Sequence, residues 1–488
     1  MMLTGFIEQH HYRLDDLSNR IGCDTIQAKD ILNRLIWAGV AKICQEPISD
    51  DTVDESLHGH NISGTLGNNT RFQFCYVGVV EVEGFIVKCY PKYIVSRTPN
   101  SSDLRLVLNA IERYNYDHTS LTALRESSDV GISTRLALAL RLLRDYLTYG
   151  LYSNQREEQT FHGQGEIDWE TTINTTMPLI RDNNPYYFDY YTNDTKQNET
   201  DYITRLHSCI ITECSKLLHS CDLDEILLLE TPMPYHGDQS DFGDNDYICQ
   251  RLKMELNVQF VTRKQSLLHD LLLWIQNTKQ ENQESEIYLF GTSSFHALWE
   301  IMCADVFVSQ YKHTLQSLGI KLKDSFTDSN KTLEELMPKP RWTSYSFGSS
   351  SPDEKATLRP DYMRIVSKNG KNFFVILDAK YYNIEFCAGK VKNNPGVEDV
   401  CKQHLYQIAY KRFIETHSLV PVNAFVSPLD AEGVKVIGEA EMPALTGLNN
   451  EGICPIKVVM LSANELLQHY INRQHVDLAD IIALFPGA

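Results

Sequence analysis

The chain has 488 residues, 42% of them hydrophobic, and carries 45 Lys and Arg against 64 Asp and Glu, a formal charge of −19. That length predicts two to four domains and that apolar content excludes global disorder, while the acid excess excludes nucleic-acid binding by bulk charge. No run approaches the roughly 18 apolar residues of a membrane span, and residues 1–16 lack the basic patch and apolar core of a signal peptide, so the expected location is the cytoplasm, with no membrane partner.

Asp15 to Ile21 reads as a short helix ended at Gly22. Asp24 is placed to cap a second helix, Thr25 to Ala38, with Ile26, Ile31, Leu32 and Leu35 at helical spacing and Gly39 at the C-cap position. β-prone runs follow at Phe72 to Val80 and Gly84 to Tyr90, which together predict a winged-helix-like unit. Only Lys29 and Arg34 are basic on its second helix, so DNA contact and plain packing stand side by side as readings. Residues 49–70 read as a loop, and 103–116 and 133–149 as amphipathic helices, the second carrying Leu136, Leu138, Leu140, Leu142, Leu143 and Leu147.

Residues 182–202 are polar and tyrosine-rich and read as a surface loop; without interleaved basic residues they make no base-stacking platform. Helices are expected at 201–219 and 263–278. Cys209, Cys214 and Cys221 lie near His207 and His219, but among 12 cysteines there is no CxxC and no zinc spacing, so buried thiols in a reducing compartment are the preferred reading. Asp238, Asp241, Asp244 and Asp246 fail the order of a calcium-binding loop and read as a solvated loop. Charge is uneven: residues 186–250 hold 13 acidic against 3 basic side chains, whereas 351–411 hold 10 basic against 7 acidic. The second stretch is the better candidate for meeting a phosphate backbone. There is no GxxxxGK[ST] phosphate loop, Gly163-Gln164-Gly165 does not continue as GxGxxG, and GxSxG and HExxH are absent.

Chemistry concentrates later. Pro360-Asp361 precedes Ser367 to Lys371, a hairpin turn, and then the apolar strand Phe373 to Leu377, which ends abruptly in Asp378-Ala379-Lys380. Charged groups at the end of a buried strand are costly unless paired or metal-bound, and a period of two puts Asp378 and Lys380 on one side. The hairpin brings Asp361 beside them. Two carboxylates and an ammonium at one spot suit Mg²⁺, with Mn²⁺ as the alternative, and phosphodiester hydrolysis. Asp361 and Asp378 are the expected metal ligands, and Lys380 is expected to orient or deprotonate water or to stabilise developing charge.

This order resembles the PD-(D/E)xK nuclease signature. Two flanking helices extend the resemblance. Phe295 to Phe307 carries Glu300, matching the acidic residue such a helix brings to the metal. Asp399 to Lys411 carries Gln403, Tyr406, Gln407 and Tyr410 on one face, and Gln403 matches the residue supporting the site. Phe161-His162-Gly163-Gln164-Gly165-Glu166-Ile167-Asp168-Trp169, Val77-Gly78-Val79 and Tyr90-Pro91-Lys92-Tyr93-Ile94 narrow it further. The chain, from about residue 70 to 415, resembles the LlaJI-type restriction endonucleases, which are similar to the McrC nuclease subunit. Asp168 and Trp169 read as a cap and a core indole, without a catalytic role.

The resemblance implies a restriction endodeoxyribonuclease of type II or type IV kind, cutting foreign double-stranded DNA beside a separate McrB-like AAA+ GTPase. The expected fold class is α/β (α+β) multidomain: residues 1–100 winged-helix-like and β, 101–285 helical and acidic, either a docking surface for the partner or a solvated face, and 286–488 a PD-(D/E)xK domain with a mixed sheet between helices, extended by strands near 421–427 and 455–461. The rival readings are a nuclease-fold subunit that grips DNA or regulates an NTPase without cutting, and a repair or RNA nuclease.

Overall fold

A computed structural model describes residues 5–44, 70–95, 97–118, 134–153, 155–197, 201–277, 287–323, 326, 330–340, 342–345, 348–350, 357–446 and 453–482. Its contacts divide the chain into two units, Met1–Val80 with Phe85–Gly131 and Phe290–Ala488, and Glu81–Gly84 with Ile132–Leu289. Most of the regions expected as 1–100 and 286–488 therefore share one unit.

The first segments are β1 (Gly5–Ile7), β2 (His11–Arg13), α1 (Leu14–Ile21), α2 (Thr25–Trp37), β3 (Ala41–Ile43), β4 (Arg71–Phe74), β5 (Val77–Val82), β6 (Phe85–Tyr90) and α3 (Ser101–His118). Gly22 ends α1 at φ 76°, a left-handed conformation that costs glycine nothing. Asp24 caps α2 by accepting from the backbone N–H groups of Ile26 and Gln27, and the Gln27 side chain returns to the Asp24 N–H. β2, β4 and β3 pair antiparallel in that order, which with α1 and α2 gives a winged-helix-like arrangement, but of the two β-prone runs expected to build it only β4 takes part; β5 and β6 belong to another sheet. Its core is aromatic, with Phe6 and Phe74 rings 4.6 Å apart. The buried stripe of α2 is Ala28, Ile31, Leu32 and Leu35. Ile26 is 82% exposed, a correction: it lies with Asp30, Asn33 and Trp37 on the opposite, outer face. Residues 45–69, nearly all of the loop expected at 49–70, lie outside the described residues.

The second unit contains α4 (Thr134–Tyr149), β7 (Gln155–Phe161), β8 (Glu166–Ile167), α5 (Trp169–Thr175), β9 (Leu179–Arg181), β10 (Asn184–Tyr186), β11 (Tyr191–Gln197), α6 (Tyr202–Ser220), α7 (Leu223–Leu227), α8 (Asn245–Val258) and α9 (Thr262–Asn277). Leu136, Leu140, Leu143, Leu206, Ile210, Leu268 and Trp274 are buried; Leu147, in the last turn of α4, is 40% exposed rather than core. The expected loop at 182–202 instead forms β10 and β11, because β11 pairs along its whole length with β7 by backbone hydrogen bonds that need no apolar side chains. Gly165 is required there: a Cβ would collide with the Asn193 carbonyl. Two of the aspartates at 238–246 are helix caps. Asp238 accepts from the Ser240 N–H at 2.8 Å, and Asp244 accepts from the Tyr247 N–H at 2.7 Å, opening α8. Cys209, Cys214 and Cys221 are buried free thiols, His207 Nδ1 accepts from the Tyr152 N–H at 2.9 Å, and His219 pairs with Asp224 at 2.7 Å.

The remaining elements are β12 (Ile287–Thr292), α10 (Phe295–Val306), β13 (Trp342–Ser344), β14 (Gly348–Ser350), β15 (Tyr362–Lys368), β16 (Lys371–Ala379), β17 (Glu385–Cys387), β18 (Lys390–Lys392), α11 (Val397–Thr416), β19 (Val420–Leu429), β20 (Val434–Ala440), α12 (Pro443–Thr446), β21 (Ile456–Ser462), α13 (Ala463–Ile471) and α14 (Leu478–Ile482). One sheet runs β1-β6-β5-β12. There Gly78, at φ 146°, lets its strand approach Phe290 and Gly291 so closely that a Cβ would strike the Phe290 carbonyl. This accounts for the glycine of Val77-Gly78-Val79.

The larger sheet runs β15-β16-β19-β21-β20. β16, β19 and β21 are parallel, with β15 and β20 antiparallel at the edges, so the sheet is mixed as expected. α11 packs on β16 and β19, α10 on β16 and α13 on β21. Phe374 and Ile376 are fully buried among Met363, Tyr406, Tyr410 and Phe413, each stabilising the fold by about 1.5–3 kcal/mol. Together the two units form a multidomain α+β protein.

Candidate active site

Asn369 and Gly370 join β15 to β16 with φ of 51° and 75°, the left-handed pair that a tight two-residue hairpin needs. The register then runs from Lys368 opposite Lys371 to Tyr362 opposite Leu377. The next positions outward are Asp361 and Asp378, so the turn chemistry decides that these two carboxylates meet.

They do meet. Asp361 is hydrogen-bonded to Asp378, and its Oδ2 accepts from the Ala379 N–H at 3.0 Å. Burial, then the neighbouring charges of Asp378 and Glu300, hold the Asp361 carboxyl far above the ordinary carboxylate range. Lys380 Nζ lies 2.9 Å from Asp378 Oδ2 and 2.8 Å from Asp399 Oδ1. Burial by itself lowers the pKa of that ammonium, but Asp378 and Asp399 outweigh it and raise the pKa.

Glu300 arrives on α10. It is half-buried; burial raises its pKa, Lys380 and Lys402 pull it down, and Asp378 pushes it up. α10 is tied to the strand end, because Val426 O accepts both the Trp299 indole N–H at 3.1 Å and the Lys380 backbone N–H at 2.8 Å. On the other flank Tyr406 donates to Arg359 O at 2.8 Å, holding the chain just before Asp361.

Gln403 is placed differently from the expectation. It is fully buried, donating to Asn423 Oδ1 at 2.6 Å and lying 3.4 Å from the carbonyls of Ile376 and Ala424. None of its hydrogen bonds reaches Asp361, Asp378 or Lys380. The glutamine and tyrosine stripe of α11 is indeed on one buried face, but Gln403 sits at the level of Ile376, inside the sheet edge. Asp399, four residues earlier on the same face, reaches the strand end. Helical spacing was the only signal for it: 399 and 403 share a face.

The Tyr90-Pro91-Lys92-Tyr93-Ile94 segment braces the strand just past Lys380. Tyr381 donates to Glu8 Oε2 at 2.7 Å and accepts from the Lys92 N–H at 3.0 Å, and Lys92 Nζ stands 4.6 Å from the centre of the Tyr381 ring. Asp168 caps α5 as expected, accepting from the Thr171 N–H at 3.0 Å. Trp169 is not a core indole; it is 53% exposed, edge-on to Tyr187.

The donors suit a hard divalent cation: carboxylate oxygens on Asp361 and Asp378, with Glu300 nearby. Among the described residues, however, no group of three or more His, Cys, Asp or Glu side chains is already set to hold a metal. Asp361, Asp378 and Glu300 therefore share a neighbourhood without forming a ready cage, and Lys380 Nζ lies against Asp378 and Asp399 there. Two neighbouring carboxylates, one of them held above the ordinary range by burial and by the charge of the other, fit such a cation, which would offset their repulsion.

The fold is that of a multidomain α+β protein. A model of the LlaJI restriction endonuclease family matches residues 76–319 and 320–464, and the chain belongs to that family. It is 27% identical over 424 residues to the type II restriction enzyme BsuMI component YdjA of Bacillus subtilis (strain 168), covering 84% of this chain and 83% of that one. Among solved structures it is similar to a chain in the half-complex of Thermococcus gammatolerans McrB AAA+ hexamers with bound McrC, at 14% identity and TM-score 0.36 over 96% of this chain and 98% of that one. A chain of the McrBC complex from the same organism matches at 14% identity and TM-score 0.23, over 56% and 79%. No helix among the described residues is long and apolar enough to cross a membrane.

Proposed function

We propose that this member of the family is the cutting subunit of a restriction system. Its centre, of PD-(D/E)xK type, hydrolyses phosphodiester bonds of double-stranded DNA with Mg²⁺, for which Mn²⁺ can substitute. The observation that carries the reading is the meeting of Asp361 and Asp378 at one strand end, with Lys380 Nζ 2.9 Å from Asp378 Oδ2. Three largely shielded ionisable groups at one strand end are costly to a fold and useful to phosphoryl chemistry.

In this reading Asp361 and Asp378 hold the cation, with Glu300 assisting. The cation supplies a more acidic bound water and neutralises phosphate charge. Lys380, kept as an ammonium by its two carboxylate partners, stabilises negative charge on the phosphate. Gln403 supports the site from beneath, by fixing the sheet at Ile376 and Ala424. Exposed Lys390 and Lys392, on the β17–β18 hairpin that follows the site, belong to the basic stretch that meets the DNA backbone. The partner in this reading is a separate McrB-like AAA+ GTPase, since the chain carries no phosphate loop of its own; the place of action is the cytoplasm.

The test is to incubate plasmid DNA and Mg²⁺ with the protein, with and without the candidate GTPase, beside folded Lys380→Ala. Nicking or cutting by the wild type alone, lost in the variant, is the expected result. No cutting under any condition, or equal cutting by the variant, overturns the reading.

A further inference from the structure

Lys380 has a second carboxylate partner that the metal-binding roles do not use. Asp399 lies in the first turn of α11, whose N-cap, Gly396, offers no side chain. A helix N-terminus favours an acidic residue there. That preference does not explain why the carboxylate reaches across to another element and meets Lys380 Nζ at 2.8 Å. Both partners are largely shielded, Lys380 at 17% and Asp399 at 24% side-chain exposure.

The two carboxylates that hold Lys380 have different duties. Asp378 is bonded to Lys380 and also to Asp361. A cation taken up by Asp361 and Asp378 would draw on the Asp378 oxygens and repel the nearby ammonium. Lysine has a long, freely rotating stem, so Asp378 alone would then hold it poorly. Asp399 is bonded to Lys380 and belongs to a helix packed on β16 and β19. Gln403 does not substitute: its hydrogen bonds run to Asn423 and toward the carbonyls of Ile376 and Ala424, and none reaches Lys380.

Resting on the nuclease reading above, we propose that Asp399 is a positioning residue for Lys380: a second anchor that keeps the ammonium in place when Asp378 engages the cation. Asp399 touches neither cation nor DNA in this role.

The experiment compares wild type, Asp399→Asn and Asp399→Glu, all checked for unchanged thermal melting. First, without metal or DNA, an amine-acetylating reagent is applied and acetylation is followed by peptide mass spectrometry, with Lys457, paired to Glu439, as internal reference. Lys380 is expected to react about fivefold faster in Asp399→Asn, from the loss of one ion pair, and within about twofold of wild type in Asp399→Glu. Second, with Mg²⁺ and DNA, Asp399→Asn is expected to lose about tenfold or more in kcat while KM and the Mg²⁺ midpoint stay within about twofold, and Asp399→Glu to recover part of the loss. Unchanged Lys380 reactivity in Asp399→Asn overturns the proposal, as does faster labelling with unchanged kcat in an active enzyme. If the wild type cuts no DNA, the nuclease reading falls, and the labelling alone decides whether Asp399 anchors Lys380.

Discussion

Two sheets in this chain treat side chains in opposite ways. In the five-stranded sheet, β16 is buried from Phe373 to Ala379, and the charges at its end are paired: Asp361 with Asp378, Lys380 with Asp378 and Asp399. In the sheet β7-β11-β8 and the elements beside it, large apolar side chains face water, among them Phe161, Trp169, Ile173, Met177, Ile180 and Phe188, while the polar Thr172 and Thr192 are buried. The first sheet is held by side-chain burial, and buried charge is its anomaly. The second is held by backbone pairing and caps, with Asp168 on α5 and Asp194 accepting from the Gly165 N–H. Substitutions should therefore act through different physics in the two places.

The sharpest contrast is chemical. Asp378→Asn should lower DNA cleavage about 10³-fold, measured on plasmid DNA, while the melting temperature moves little, because relief of the repulsion with Asp361 offsets the lost ion pair to Lys380. A variant that cuts normally breaks the view that the buried charge serves chemistry. Next comes packing. Trp299 is fully buried and hydrogen-bonded to Val426 O, so Trp299→Ala should cost about 3–5 kcal/mol in denaturant unfolding.

A third expectation concerns acid. His207, buried in α6 with Nδ1 accepting from Tyr152, has its pKa pushed down from 6.5 to about 4 by burial. Between these values the unfolded chain binds a proton that the folded one refuses, so stability rises with pH there. This contribution is complete above pH 6.5 and is lost as pH falls through 4. About 3 kcal/mol should disappear across that window, read as a falling urea midpoint. His207→Gln, which cannot titrate, should flatten that part of the slope. The smallest effect belongs to the second sheet: Trp169→Ala should change stability by no more than about 0.5 kcal/mol. If Trp169→Ala cost as much as Trp299→Ala, the contrast between the sheets would be void.

Much of the site was legible because it is local. Asn369-Gly370 demands a tight hairpin, the apolar run to Leu377 demands a buried strand, and together they force Asp361 beside Asp378 and Lys380. Elsewhere the local signal was silent or misleading. The polar run Tyr191–Gln197 shows no apolar alternation, because its partner strand supplies backbone bonds rather than a core. Ile26 and Trp169 are apolar by type but stand on faces that nothing within their own unit covers. On α11 helical spacing identified the inward face without saying which turn would meet the end of β16. Gln403 and Asp399 share that face, and only the packed helix puts Asp399 at Lys380.

From the amino-acid order alone came the hairpin, the buried strand, the charged triplet at its end and the helix on either flank, because each depends on neighbours a few residues apart. The level at which α11 slides along β16, the pairing of Lys380 with Asp399 and the brace from Glu8 to Tyr381 were decided only by the folded chain. Those contacts join residues distant in sequence, and their geometry is set by how whole elements pack, which no short-range periodicity encodes.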